Sequence, residues 1–100
     1  MAELIVVYWR DIPAQVIAKA GRRSARRPLA ERFQTAIDRA AMRAGLRDSD
    51  AYLGEWRRAE PRPCGDDLEA EAAAEAERLE RAFDPARLDA LIAGGGREAG

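Results

Sequence analysis

The sequence predicts a small α+β domain in which an N-terminal antiparallel hairpin packs with helices. Three observations carry this prediction. The first is a β-branched and aromatic run, Leu4-Ile5-Val6-Val7-Tyr8-Trp9, near the start of the chain. The second is a set of helical-period apolar stripes after residue 28. The third is the length, 100 residues, which suits one core with little margin.

Residues 3–9 read as the first strand. Arg10-Asp11-Ile12-Pro13 reads as a turn, because Pro13 removes one ladder donor and pushes Ile12 toward extended geometry. Residues 14–20 read as the second strand, with Gln15, Ile17 and Lys19 on one face and Val16 and Ala18 on the other. Gly21 ends it. Residues 22–27 (RRSARR) read as a basic loop, and Pro28 fits the first turn of a helix. Leu29, Phe33, Ile37, Ala40, Ala41 and Ala44 make one apolar face, and Gly45 is a suitable C′ residue, so a helix is expected over 28–44. Asp48 or Ser49 can cap a second helix over 49–58, striped by Tyr52, Leu53 and Trp56. Residues 61–65, within AEPRPCG, read as a linker between a 1–60 domain and an acidic helical segment over 66–100. Within that segment, Asp66-Asp67-Leu68-Glu69 resembles a capping box opening a helix over 66–83, and its stripe is Leu68, Ala72, Ala76, Leu79 and Phe83. Asp84-Pro85 caps a last helix over 85–93 carrying Leu88, Leu91 and Ile92. Gly94-Gly95-Gly96 stops it, and disorder is expected beyond.

Composition narrows the chemistry. The chain has no His and one Cys, which excludes a Ser-His-Asp triad, a His-based zinc site, a CxxC site and an internal disulfide. No catalytic residue, metal site or cofactor is expected. The apolar run at the N-terminus is too short for a signal-peptide core, and no stretch reaches the roughly 20 residues of a membrane span. Lone Cys64 suits a reducing compartment, so the expected location is cytoplasmic.

Charge is segregated along the chain. Residues 1–47 hold ten basic groups against four acids, a net of +6; residues 48–100 hold seven Arg against fourteen acids, a net of −7. Four Arg (Arg22, Arg23, Arg26, Arg27) fall within six residues, and Arg32 follows on the next helix. Such a cluster suits a protein partner, or a phosphate or RNA bound through the planar guanidinium forks. It also suits a solvated loop or attraction to the acidic half of the chain. Trp9 with Arg10 offers a base-stacking and phosphate-clamping pair, or else core packing with a local ion pair. The acids from Asp66 to Glu80 do not match a calcium-binding loop and read as a solvated helix face.

The segment Val7-Tyr8-Trp9-Arg10-Asp11-Ile12-Pro13-Ala14-Gln15-Val16 resembles the small domain family labelled virulence factor, also found within conserved virulence factor C. Gly21 to Arg27, Leu29 to Gly45, and Tyr52-Leu53 with Glu55-Trp56 extend the resemblance over residues 3–60. The acidic helix beyond looks like the tail of short stand-alone bacterial members. The resemblance implies no reaction and no catalytic residues. Longer members look like fusions to iron–sulfur scaffold and helical-repeat segments, and short ones like neighbours of folate and corrinoid one-carbon genes. The expected function is therefore a non-catalytic accessory domain that contacts a protein partner through its basic loop. The alternatives are an RNA- or phosphate-binding module, or an accessory subunit of a one-carbon or iron–sulfur-linked system. No membrane partner is expected.

Overall fold

The computed structural model describes residues 1–46 and 50–98. Within them the order is β1 (Ala2–Trp9), β2 (Ile12–Ala20), β3 (Arg23–Pro28), α1 (Glu31–Arg43), α2 (Asp50–Gly54), β4 (Trp56–Arg58), β5 (Arg62–Cys64), α3 (Leu68–Ala82) and α4 (Pro85–Ala93). The α+β class is as the sequence predicts.

The β1–β2 hairpin forms as expected. Ile5 faces Ile17 and Val6 faces Val16, and a bulge falls between Val7 and Tyr8. Opposite it, Gln15 pairs Val7 and Pro13 pairs Tyr8, so Ala14 is the extra residue. Its carbonyl is not wasted, since it accepts the Leu29 N–H at 3.0 Å. β1 takes β2 along one edge. Along the other it takes β4 at its C-terminal end, with Trp9 facing Trp56, and β5 at its N-terminal end, with Leu4 facing Arg62.

Three sequence expectations are corrected here. The basic loop 22–27 is a strand, β3, antiparallel to β2 from Gln15–Pro28 to Ala20–Arg23. It lacks the apolar alternation of a half-buried strand because it is an edge, held by main-chain bonds to β2. Pro28 therefore ends β3, and the first helix begins only at Glu31. The second helix ends at Gly54, and Trp56–Arg58 is a strand, too short for a period of two to show. The expected linker holds β5, which closes the second edge of β1. The capping residues Asp48 and Ser49 lie outside the described residues.

One core joins the layers. On one sheet face Leu4, Val6, Val16 and Ala18 meet Phe33, Ile37 and Ala40 of α1, Leu68, Ala72, Ala76 and Leu79 of α3, Phe83, and Leu88 and Leu91 of α4. The acidic segment thus supplies seven residues, from Leu68 to Leu91, to the hydrophobic interior. Asp67, one residue beyond the expected start, caps α3 through the Ala70 N–H at 3.2 Å. Asp84 caps α4 through the Arg87 N–H at 2.9 Å.

The α1 cap comes from a distance. Ala30 has no side chain to cap with, and its N–H donates to Glu80 Oε2 at 2.9 Å. Arg32 donates to the Glu80 carbonyl at 3.2 Å. A carboxylate on α3 thereby serves the positive end of α1.

Candidate functional site

Trp9 stands at the crossing of the hairpin turn, α2 and the C-terminal segment. It is 0% exposed, and its Nε1–H donates to the Tyr52 carbonyl at 2.9 Å. A side chain so enclosed is unavailable for stacking on a ligand, which removes Trp9 from the expected site. It packs at 5.6 Å between ring centroids on Tyr52, which in turn meets Trp56 edge-on.

Arg10 is also structural. It adopts φ +52°, an unfavourable region for a residue with a Cβ. Its side chain is tied down on three sides: Nε and Nη2 reach Glu55 Oε2 at 2.9 and 2.8 Å, Nη1 donates to the Gly95 carbonyl at 2.9 Å, and the guanidinium lies over the Trp9 ring. The adjacent Asp11 holds the same C-terminal segment. Its N–H donates to the Gly96 carbonyl at 2.8 Å, and its Oδ2 accepts the Glu98 N–H at 2.7 Å. The hairpin turn is a clasp for residues 95–98, and of these Arg97 and Glu98 fall where disorder is expected from the sequence. Arg32 is engaged as well, bonded to α3 and lying over the Phe33 ring.

The other expected residues gather on one free edge. Arg22, Arg23, Arg26 and Arg27 are all exposed, and none has an ion pair among the described residues. Strand alternation divides them. Arg27 is opposite buried Val16 and Ala25 opposite buried Ala18, so Arg23, Ala25 and Arg27 lie on the helix side. Ser24 is opposite Lys19 and Arg26 opposite Ile17, so these lie on the outer side. On the helix side a groove of about 620 Å³ separates Arg22, Arg23, Ser24 and Ala25 from Asp66, Asp67, Leu68 and Glu69. A smaller one, of about 230 Å³, runs between the β3 chain at Ala25-Arg26-Arg27 and Glu69 and Ala72 of α3. The charge asymmetry of the sequence is therefore folded face to face across a cleft. Lys19 joins the basic edge through register alone. A Gly21-Arg22 turn, followed by enough residues to run back along β2, was the sequence signal for this strand.

Cys64, half-buried, donates to the Gly65 carbonyl. Burial, followed by the charges of Glu71 and Asp66, pushes its thiol pKa up, away from the reactive thiolate. Among the described residues no group of three or more His, Cys, Asp or Glu could hold a metal ion, and no helix is long and apolar enough to cross a membrane.

The geometry defines a one-sided α+β sheet domain with an arginine-rich free edge. The chain matches the virulence factor family over residues 7–92 and belongs to that family. The match runs through β5, α3 and most of α4, well past the residue 60 at which the resemblance in the sequence ends. No significant match was found among curated proteins or solved structures.

Proposed function

We propose that this domain is a non-catalytic accessory module that contacts a protein partner through the basic edge formed by Arg22, Arg23, Arg26 and Arg27. The observation that carries this reading is that four exposed guanidinium groups, three on β3 and one in the turn before it, stand without an ion pair among the described residues. Arg is favoured at protein contacts because its planar fork makes paired hydrogen bonds to carboxylates at small desolvation cost. A phosphate or RNA ligand is the weaker reading. Asp66, Asp67 and Glu69 form the opposite wall of the groove and would repel a polyanion.

The test is capture from native lysate by the wild-type chain beside a variant with all four residues changed to Ala. Circular dichroism would confirm that both are folded. A protein partner retained by the wild type and lost by the variant supports the reading. RNA recovered by the wild type, and lost both in the variant and in high salt, would replace it with the nucleic-acid reading. A protein partner held equally by both would clear the edge of any role.

A further inference from the structure

The basic strand offers main-chain groups as well as charge. On β1, the Val6 carbonyl accepts from the Ala59 N–H at 2.9 Å, so Val6 points toward β4. Antiparallel ladders alternate, so Val7, Ile5 and Glu3 must bond to Gln15, Ile17 and Lys19. Val16, Ala18 and Ala20 then point the other way and bond to Arg27, Ala25 and Arg23. The Leu29-to-Ala14 bond lies on this same side of β2. What remains is the free edge: the N–H and C=O of Ser24 and Arg26 and the C=O of Pro28 all point away from the sheet. Pro28 has no N–H to leave unsatisfied, and it closes the edge at that end.

Three features select what can pair there. A second copy of the chain would set its own arginines against these, so self-pairing is opposed by like charge. On the helix side, Arg23 and Arg27 already face Asp66, Asp67 and Glu69 across the grooves, so charge there is balanced. On the outer side, Arg26 stands near Lys19, and neither has an acidic partner among the described residues.

We infer that β3 accepts an extended segment of another protein as an added strand, with acidic side chains at alternate positions turned to the outer face, toward Arg26 and Lys19. Main-chain bonds to Ser24 and Arg26 supply the pairing, and the acids supply selection. The inference rests on the partner-binding reading above and gives that partner a chemistry.

The probe is the capped peptide Thr-Glu-Thr-Glu-Thr-Glu-Thr, compared with the same peptide carrying Lys for Glu and with one whose three Glu are contiguous. Hydrogen exchange on the full wild-type chain reads the edge directly. The alternating acidic peptide should slow exchange at the Ser24 and Arg26 amides at least about tenfold. Arg23 and Ala25, already bonded to β2, should change little. The Lys and contiguous peptides should do neither. Unchanged exchange at Ser24 and Arg26 under saturating acidic peptide would overturn the inference without any variant. Ser24→Pro deletes one edge N–H and keeps all four arginines, and it should weaken the acidic peptide about tenfold. Equal binding by Ser24→Pro and wild type would also count against strand addition. The lysate capture separates the two levels. A partner kept by Ser24→Pro and lost by the four-Ala variant leaves the basic edge as the contact and removes strand pairing. A partner kept by both removes the basic edge itself.

Discussion

Gly96 shows how a single residue can be fixed by what it must not carry. It sits at φ +95°, and a Cβ there would stand 2.6 Å from Cζ3 of Trp9, which is fully enclosed and cannot step aside. Gly96→Ala should therefore destabilise the chain by about 2–4 kcal/mol, from backbone strain and overpacking together. Chemical denaturation would measure this, and a red shift of Trp fluorescence in the native baseline would report that Trp9 has lost its cover. Glu75 is fixed by the opposite need. It is 7% exposed and is held by Arg78 Nε at 2.9 Å and Arg62 Nη2 at 2.8 Å. The Arg78 hydrogen bonds hold its carboxyl below the ordinary value, against the opposing effect of burial, and the Arg62 charge adds to them. A depressed folded pKa means stabilisation that is present above the unfolded value, about 4.3, and lost as pH falls through the folded one. The stability gap between wild type and Glu75→Gln should be widest near neutral pH and should close on acidification below about pH 4.5. A gap independent of pH in urea titrations from pH 7 to 3 would refute this account of Glu75.

Among the elements, α1 depends on a neighbour for its start. Its own N-terminal residue, Ala30, offers no oxygen, and Glu80 on α3 accepts the Ala30 N–H instead. Glu80→Ala should cost about 1 kcal/mol, the usual worth of a capping interaction. It should also speed exchange of the Ala30 amide while leaving the amides in the middle of α3 protected. Unequal edges of the sheet follow the same logic of supply. β1 has both sides filled, by β2 and by the pair β4 and β5, whereas β3 has one side open. Arg side chains and a terminal Pro are the means by which such an edge avoids pairing with copies of itself. These features leave it open to a partner of opposite charge.

At the scale of the molecule, the two halves of the chain are interdependent. Residues 66–93 contribute Leu68, Ala72, Ala76, Leu79, Phe83, Leu88 and Leu91 to the same interior as the hairpin. A chain ending at residue 65 would expose Val16, Ala18, Phe33 and Ile37, and it should show no cooperative thermal transition by circular dichroism. Independent folding of that fragment would instead support the 1–60 domain with an appended segment that the sequence suggests. The C-terminal clasp makes a related point. Arg10, Asp11 and Glu55 hold residues 95–98 with hydrogen bonds from the turn and its neighbour. A chain cut after Ala93 should remain folded but lose stability and gain solvent exposure at Trp9, read as quenching by acrylamide.

Much of the fold was legible because its signals are local. Leu68, Ala72, Ala76, Leu79 and Phe83 announce their helix by spacing alone, and Asp84-Pro85 marks the start of the next. The spacing of Val16 and Ala18 against Gln15, Ile17 and Lys19 sorts β2 into its two faces, although packing alone decided that the Val16 face meets the helices, since Ile17 is buried too. The family resemblance was legible too, in the Tyr8-Trp9-Arg10 turn region, although the matched domain reaches well past residue 60. Three short strands were not legible. Arg23–Pro28, Trp56–Arg58 and Arg62–Cys64 have no periodicity of their own, because their structure is supplied by hydrogen bonds from β2 and β1. The site divided along the same line. The sequence by itself determined that Arg22, Arg23, Arg26 and Arg27 form one basic cluster beside an acidic half. Only the tertiary structure decided that Trp9 is buried, that Arg10 is tied to Glu55 and Gly95, and that the cluster lies on an open strand edge. Charge and periodicity are properties of the chain, whereas burial and a free hydrogen-bonding edge exist only once distant segments have packed.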